Sequence, residues 1–189
     1  MRDFQIIDIS KLSEMPWKNG GGVTREVAQA AGPNGFAWRL SIADVSTEGA
    51  FSHFPGMSRI LTVIEGTGLK LQSPSKTHEV PLLAPFSFSG DSDMRSVLND
   101  GAIRDFNVIF DPSQIKAEVR VVNGPVHDSI GSTAQNVYAV FAIQGSSECN
   151  GVTLQQGNCA LIENEALCVT VPKASKTLYI QLSGLSASA

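Results

Sequence analysis

Residues 16–26, with the sequence PWKNGGGVTRE, combine groups that could bind an anionic or planar small molecule. Trp17 offers a large flat ring, and Lys18 and Arg25 offer cations on either side of three consecutive glycines. Successive glycine N–H groups can form a nest that binds an anion. The segment predicts one wall of a ligand pocket, although a glycine-rich turn between solvated charges would leave the same pattern. Its candidate ligand-binding residues are Trp17, Lys18, Asn19, Gly20, Gly21, Gly22, Thr24 and Arg25.

Two further segments place polar side chains at the alternating spacing of a β-strand. The sequence WRLSIADV puts Arg39 and Ser41 on one face, and the sequence IRDFNVIF does the same for Asp105 and Asn107. Strands that line the pocket of a barrel show such polar faces. Ordinary exposure of one face to solvent would produce the same alternation, so the two interpretations stay open at this point.

The histidines do not form the pattern of a metal site. Metal-dependent jelly rolls place several histidines and a glutamate so that they converge on one ion. Here His53, His78 and His127 are isolated, each in a turn-like context. The sequence also lacks a nucleophile elbow and a pair of catalytic carboxylates. We therefore predict no metal and no cofactor, and the sequence identifies no catalytic residue.

Charge and cysteine content exclude several classes of protein. Fourteen Lys and Arg against eighteen Asp and Glu give a net charge of −4, which is not the electrostatic footprint of a nucleic-acid binder. The longest apolar stretch, Val137–Ile143, is far shorter than the ~20 residues that span a bilayer. Cys149, Cys159 and Cys168 are odd in number and lack CxxC spacing, which predicts free thiols. We expect a cytoplasmic protein without nucleic-acid or membrane partners.

Short strand signals separated by turn residues run along the whole chain. Seventeen Gly and nine Pro interrupt any helical stripe before it reaches three turns. Only TREVAQAA, residues 24–31, has a helix-favouring composition, and it could equally be a strand. The pattern predicts an all-β sandwich or barrel. The predicted strands are Phe36–Val45, Ser58–Glu65, Ile103–Phe110, Glu118–Val122, Val137–Gln144 and Leu178–Leu182.

The two halves of the chain share a weak internal repeat. Leu61–Leu71 and Val140–Leu154 each contain an apolar strand that ends in Glu or Gln and Gly, then a turn and another strand. Two related jelly-roll barrels would leave this repeat, with Ser113–Val119 as the crossing point between them. Apolar strands followed by Gly also recur by chance in β proteins, so the repeat alone does not decide between the two explanations.

Taken in order, the motifs PWKNGGGVTRE, WRLSIADV, FSHFPGMSRILTVIEG, FSFSGD and DFNV resemble the HutD/Ves family of bacterial proteins. The resemblance covers residues 15–110 strongly and the remainder only as a compatible strand pattern. It implies an all-β double jelly roll, a bicupin, in a single chain. Residues 1–112 would form an amino-terminal cupin-like barrel that carries the pocket. Residues 113–189 would form a carboxy-terminal cupin-like barrel packed tightly against the first.

The resemblance also implies pocket residues beyond the glycine motif. His53 falls at a position that varies in the family motif, and the carboxy-terminal half offers no motif to compare. The resemblance therefore leaves open which residues of that half close the pocket. The implied pocket residues are Trp17, Lys18, Asn19, Thr24, Arg25, Arg39, Ser41, Phe54, Arg59, Asp91, Asp105 and Asn107.

The HutD/Ves family is associated with operons for histidine utilisation, where its members resemble accessory or regulatory proteins that bind a metabolite. We therefore expect a small-molecule-binding protein that senses an anionic intermediate, such as an acylated glutamate or a urocanate-like carboxylate. Lys18, Arg25 and Arg39 would pair with its carboxylates. Binding is favoured over catalysis because no metal or nucleophile constellation accompanies the glycine motif.

Two other functions stay open. A metal-independent isomerase or hydrolase could use Asp105 or Glu26 as general base, with Lys18 or Arg25 stabilising an oxyanion. A purely structural module would need no cavity between the loop of Trp17 and the strand of Asp105. The sequence names neither the ligand nor the oligomeric state, and a homodimer is left open.

Overall fold

Turns interrupt the chain so often that it forms short strands and almost no helix. The computed structural model describes residues 4–33, 35–131 and 136–185. Its one helix among these residues is a 3-10 turn, Ile9–Lys11. No helix in the described ranges is both long enough and apolar enough to cross a membrane. The strands before residue 113 are β1 (Phe4–Asp8), β2 (Met15–Pro16), β3 (Gly22–Gly32), β4 (Gly35–Val45), β5 (Gly49–Ala50), β6 (Ser58–Glu65), β7 (Leu69–Gln72), β8 (Thr77–Val80), β9 (Phe86–Ser89), β10 (Arg95–Leu98) and β11 (Ile103–Phe110).

The later strands complete a nearly all-β chain. The predicted strands all lie within observed ones, give or take a residue at their ends. The segment TREVAQAA, which composition left undecided, lies within β3 and is therefore strand. The strands after residue 113 are β12 (Ile115–Asn123), β13 (Val126–Ile130), β14 (Asn136–Gln144), β15 (Ser147–Cys149), β16 (Val152–Leu154), β17 (Asn158–Glu163), β18 (Leu167–Val171) and β19 (Lys176–Gly184).

The chain divides into two compact units. The first unit is Leu12–Ser113, and the second unit consists of the described residues before Leu12 and after Ser113. Strand β1 belongs to the second unit because it pairs antiparallel with β17, with Phe4 opposite Ile162. The division predicted from the sequence, residues 1–112 and 113–189, did not anticipate this pairing. Hydrogen bonding across the sheet, and not position along the chain, assigns β1 to its unit.

The first unit is a jelly roll of eight consecutive strands. Strands β4 to β11 are divided between one sheet in the order β4-β11-β6-β9 and another in the order β5-β10-β7-β8. All of these neighbours pair antiparallel. Two sheets connected in this order make a jelly roll. Strands β2 and β3 extend the first sheet beyond β4.

The second unit repeats the same order. Strands β12 to β19 form the sheets β12-β19-β14-β17 and β13-β18-β15-β16, and β1 extends the first of these beyond β17. The internal repeat predicted from Leu61–Leu71 and Val140–Leu154 begins on the third strand of each jelly roll, β6 and β14. The predicted all-β double jelly roll in a single chain is confirmed.

Two strands of the first unit, β6 and β11, change between apolar and polar residues along their inner faces. In β6, Leu61 and Val63 are fully buried in the apolar core, whereas Arg59 lies two residues before them on the same face. In β11, Ile103 belongs to the core and Asp105 and the alternate residues after it are polar or line a cavity. The core thus fills one part of the interior and leaves a polar part open.

Candidate functional site

A cavity of about 570 Å³ lies inside the first unit. Its walls are the inner faces of β4, β6 and β11, the loop between β2 and β3, and the segment after β5. It is therefore lined by both the Trp17 loop and the Asp105 strand, which a purely structural module would not need. The lining residues are Met15, Pro16, Trp17, Lys18, Asn19, Thr24, Arg39, Ser41, Ala43, Ala50, Phe51, Ser52, Phe54, Arg59, Asp105, Asn107 and Ile109.

Most of the residues predicted from the sequence meet at this cavity. The strand alternation places Arg39 and Ser41 on its wall through β4, and Asp105 and Asn107 through β11. These four come together because β4 and β11 pair antiparallel, with Asn107 directly opposite Ser41. Whether they bind a ligand stays a prediction. The predicted residues that line the cavity are Trp17, Lys18, Asn19, Thr24, Arg39, Ser41, Phe54, Arg59, Asp105 and Asn107.

A tight hairpin between β2 and β3 holds Trp17 against the cavity. The N–H of Trp17 donates to the carbonyl of Gly22 at 2.9 Å, and the N–H of Gly20 donates to the carbonyl of Trp17 at 2.9 Å. The indole Nε1 donates to Oγ1 of Thr24 at 2.8 Å, which orients the ring. Lys18 and Asn19 lie exposed at the tip of the hairpin.

The glycine run does not form the anion-binding nest proposed from its sequence. The N–H of Gly20 is used within the turn, and the N–H of Gly21 donates to Oδ1 of Asn19 at 3.0 Å. Gly20, Gly21 and Gly22 do not line the cavity. They are required by the turn itself: Gly20 has φ of +70°, and a Cβ on Gly22 would lie 2.4 Å from the carbonyl oxygen of Asp44. Their role is to shape the wall that presents Trp17.

Arg25 lies outside the cavity, although sequence reasoning placed it in the pocket. Successive strand residues point to opposite faces, so Arg25 is directed away from the cavity that its neighbour Thr24 lines. Its guanidinium Nη1 donates to Oδ2 of Asp44 at 2.6 Å, and Nη2 donates to the carboxylate of Glu14. Arg25 therefore stabilises the sheet and does not contribute its charge directly to the cavity wall.

Asp91 also lies outside the cavity. Its carboxylate accepts the backbone N–H of Gly56 at 3.1 Å and the hydroxyl of Ser89 at 3.2 Å. Both contacts are made in turns, which is the ordinary role of Asp at such positions. The FSFSGD motif thus organises the turn after β9.

Arg59 is the central cation of the cavity. It is 4% exposed, and its guanidinium carbon lies 4.9 to 5.3 Å from the ring centroids of Phe51, Phe54 and Phe88. Nη1 donates to the carbonyl of Ser52 at 3.2 Å, and Nη2 donates to Oδ1 of Asn107 at 2.9 Å. Its Nε has no hydrogen-bond partner among the described residues. Burial lowers the pKa of Arg59 to about 10, so it remains a cation at neutral pH.

Among the described residues, Asp105 is the only acid on the cavity wall, and it is fully buried. The Asn107 amide donates to its Oδ1, while its Oδ2 has no hydrogen-bond partner among the described residues. Burial raises the pKa of Asp105 to about 7, although the charge of Arg59 and the bond from Asn107 act in the opposite direction. Near neutral pH this group therefore divides between the acid and the carboxylate.

Arg39 and Lys18 complete a cationic lining. Arg39 Nε lies 3.1 Å from Oε2 of Glu26, outside hydrogen-bond geometry, and that carboxylate does not line the cavity. Lys18 is exposed near the hairpin tip. Counted over the residues that the structure describes, the wall thus carries three cations, Lys18, Arg39 and Arg59, and one acid, Asp105. A cavity of this charge favours an anion.

Sequence reasoning missed several lining residues. Ala43 and Ile109 follow the predicted polar residues of β4 and β11 at steps of two, so strand alternation could have identified them. Phe51 begins the aromatic pair of FSHF and carried a weaker signal. The other missed residues have no sequence signal that would identify them, because only the fold brings them to the cavity wall. The missed residues are Met15, Pro16, Ala43, Ala50, Phe51, Ser52 and Ile109.

A second cavity, of about 280 Å³, lies inside the second unit. Its charged groups are paired: Arg120 donates to Oδ2 of Asp128 at 3.1 Å and lies 4.5 Å from the ring centroid of Tyr179. The Tyr179 hydroxyl donates to Gln181 at 3.3 Å. The rest of the wall is mainly valine. The lining residues are Arg120, Val121, Val122, Asn123, Val126, Asp128, Val140, Val169, Val171, Thr177 and Tyr179.

The histidines and cysteines stand apart from both cavities, with none among the lining residues. Within the ranges described, no three His, Cys, Asp or Glu side chains are grouped as metal ligands would be. The cysteines are free, and Cys149 and Cys159 are buried. Burial raises the pKa of each of these two thiols to about 12, so neither is a reactive thiolate at neutral pH.

Comparison with known proteins gives relatives that span both units. The family model described as HutD matches residues 9–179. An uncharacterized 21.2 kDa protein in the hutC 3' region of Pseudomonas putida is 42% identical over 128 residues, 66% of this chain and 67% of that protein. Protein Ves of Escherichia fergusonii is 35% identical over 158 residues, 82% of each chain. The structure of HutD from Pseudomonas fluorescens SBW25 superposes with a TM-score of 0.87 at 35% identity, over 97% of this chain and all of that one.

Proposed function

The chain belongs to the HutD family, which is linked to histidine utilisation, and we propose that it binds an anionic intermediate of that pathway in the first cavity. The bound form would act as a sensor in the cytoplasm, so the protein would be an accessory or regulatory component. The ligand class is a small carboxylate, either an acylated glutamate or a urocanate-like molecule.

The observation that carries this proposal is that Nε of the buried Arg59 guanidinium has no hydrogen-bond partner among the described residues. A buried charged donor without an acceptor costs free energy, because water no longer solvates it. Three aromatic rings and two hydrogen bonds fix the position of Arg59, yet its Nε is left without a partner. A carboxylate oxygen in the cavity would supply the missing acceptor through a charge-assisted bond.

Size and chemistry narrow the ligand class. The cavity volume of about 570 Å³ lies within the range of roughly 300–1,000 Å³ that is usual for small-molecule sites. Trp17 and Phe54 offer apolar surface, and the three cations offer partners for one or two carboxylates. A molecule with both a flat or aliphatic body and a carboxylate would satisfy both parts of the wall.

Calorimetry tests the proposal directly. We expect wild-type protein to bind urocanate or N-acetyl-L-glutamate, and to bind the methyl ester of urocanate at least tenfold more weakly, because the ester lacks the anionic charge. Lys18→Met should weaken binding, whereas Lys70→Met, which removes the same charge from an exposed pair with Glu79, should not. Absence of binding by any anionic intermediate of histidine utilisation would refute the proposal.

The regulatory part needs a separate measurement. A strain that carries Lys18→Met and one that carries Lys70→Met should differ in the level of the histidine-utilisation enzymes during growth on histidine. Equal enzyme levels in the two strains, together with confirmed ligand binding in vitro, would leave a binding protein without the regulatory role.

A second candidate function rests on Asp105. A buried carboxyl with a pKa near 7 and an unpartnered oxygen is suited to general acid–base catalysis. The protein could then be a metal-independent isomerase or hydrolase of a small carboxylate, with the cations stabilising an oxyanion. Product formation from the bound intermediate, followed by NMR and unaffected by chelator, would favour this function over sensing.

A further inference from the structure

Asp105 and Arg59 are linked through one amide. Asn107 accepts a hydrogen bond from Arg59 on its Oδ1 and donates one to Oδ1 of Asp105 through its Nδ2. In these two side chains, Nε of Arg59 and Oδ2 of Asp105 are left without hydrogen-bond partners among the described residues. Both side chains are at least nine-tenths buried and line the same cavity. The wall therefore offers a ligand one cationic donor and one carboxyl oxygen.

The groups around Asp105 come from several elements. Arg59 on β6 favours its carboxylate form, and Asp44 on β4 opposes that form. Arg39 on β4 and Lys18 on the β2–β3 hairpin add positive charge to the same cavity. Without a bound anion, nearby cations thus favour the carboxylate form of Asp105 over its acid form. An incoming anion would neutralise those cations.

We propose that Asp105 takes up one proton from solvent when an anion enters the cavity, and donates its Oδ2–H to an oxygen of that anion. This inference rests on the proposed function of the first cavity. An anion paired with Arg59 removes the field that favours the Asp105 carboxylate and adds a like charge nearby. As a carboxylate oxygen, Oδ2 of Asp105 would repel the anionic oxygen of the ligand. Protonation converts Oδ2 into a hydrogen-bond donor to that oxygen. The site then takes a carboxylate together with a proton.

The proposal specifies what the ligand presents to each group. An oxygen with a free lone pair must face Asp105, and an anionic oxygen must face Arg59. A ligand that presents an N–H group to Asp105 would instead bind the carboxylate form and take up no proton. Proton uptake therefore identifies Asp105 as a residue that determines ligand specificity.

The direction of the pH dependence follows. Well below pH 7 Asp105 is already protonated in the empty cavity, so binding takes up almost no proton. Above pH 7 each ligand brings one proton, and affinity falls by up to about tenfold per pH unit.

Calorimetry with N-acetyl-L-glutamate tests this, because neither of its carboxylates titrates between pH 6 and 9. Titrations at pH 8 in phosphate and in Tris, whose ionisation heats differ, give the number of protons taken up. We expect close to one proton per ligand at pH 8 and far less at pH 6. In Asp105→Asn the uptake should vanish and the affinity should become independent of pH. Asp128→Asn, in the second unit, should retain the wild-type uptake.

The outcomes separate this inference from the proposed function. Binding by the wild type without proton uptake at pH 8, or uptake that persists in Asp105→Asn, would overturn the inference alone. No binding at pH 6 by this probe or by urocanate would overturn the proposed function and the inference together. If Asp105→Asn does not fold, carboxyl ¹³C NMR of wild-type protein must show the titration midpoint of Asp105 rising on ligand addition, and an unchanged midpoint refutes the inference.

Discussion

The two jelly rolls share one strand order but differ in whether the polar groups of their cavities have hydrogen-bond partners. In the second unit Arg120 and Asp128 pair with each other, and Thr177 pairs with Ser147 at 2.5 Å. All four buried side-chain polar atoms that lack a hydrogen-bond partner, within the described ranges, lie in the first unit. Three of them belong to cavity residues: Arg39, Arg59 and Asp105. The same strand order thus accompanies paired polar groups in the second unit and unpartnered buried atoms at the cavity of the first.

The difference between the two cavities comes from their side chains and not from the strand order. The strand order determines that each unit encloses an interior, but side chains decide what that interior can bind. Unsatisfied buried groups lower stability. Their concentration at one cavity supports the proposal that this cavity binds a ligand.

The largest effect should come from the matched arginine variants. We expect Arg59→Met to weaken binding of the anionic ligand by roughly 30-fold or more, about 2 kcal/mol, because it removes a buried charged partner. Arg120→Met removes the same charge from the second cavity and should leave the affinity within about twofold of wild type. Calorimetry on both variants measures this. If Arg59→Met and Arg120→Met lose the same ligand affinity, the two jelly rolls do not differ in binding function.

The acids of the two cavities should differ in how stability depends on pH. The folded-state pKa of Asp105, about 7, lies above the ordinary aspartate value of 3.8, so its contribution to stability is complete below about pH 4 and is lost as the pH rises through 7. Asp105→Asn should therefore exceed wild type in unfolding free energy at pH 8 by roughly 2–4 kcal/mol, with a smaller gain at pH 5.

Asp128→Asn provides the control for that experiment. Asp128 is 40% exposed and paired with Arg120, so its replacement should change stability by about 1 kcal/mol or less and should not stabilise the protein at pH 8. Urea denaturation at both pH values measures the difference. If Asp105→Asn has the same unfolding free energy as wild type at both pH values, burial of the Asp105 carboxylate does not destabilise the protein.

Glycine substitutions test whether the hairpin of the first unit is as tightly constrained as its contacts indicate. In Gly22→Ala a Cβ would lie 2.4 Å from the carbonyl oxygen of Asp44, so the hairpin must shift, at a cost of roughly 1–3 kcal/mol. A Cβ on Gly131 in the second unit would have no atom of the described residues within 4 Å, so Gly131→Ala should stay within about 0.5 kcal/mol of wild type. Thermal unfolding measures both, and a neutral Gly22→Ala would show that the turn adapts freely.

The smallest effects should come from removing one hydrogen bond in each cavity. Trp17→Phe deletes the donor to Thr24, and Tyr179→Phe deletes the donor to Gln181. Each should cost about 1 kcal/mol of stability. Only Trp17→Phe should also reduce ligand affinity, by a few fold, since the indole lines the first cavity. Trp17→Phe with wild-type affinity would place the ligand away from the indole.

Local spacing predicted much of the fold and part of the site. Alternation along β4 and β11 placed Arg39 and Asn107 on the polar faces of their strands, and both line the cavity, because side-chain direction in a strand follows directly from sequence position. The same rule, applied across the glycine motif, would have excluded Arg25, which is adjacent to Thr24 and so points to the other face. Motif membership grouped the two residues, whereas geometry separates them.

Alternation and turn residues, which lie close along the chain, predicted the all-β pattern and the polar faces of β4 and β11. The family resemblance implied the double jelly roll and the pocket residues Phe54 and Arg59. Which polar atoms lack partners follows from the tertiary structure alone. Arg59 and Asn107 are 48 residues apart in the chain, and their bond leaves Nε and the Asp105 oxygen open. Partners at such separations are set by packing of the whole unit, which no local spacing records.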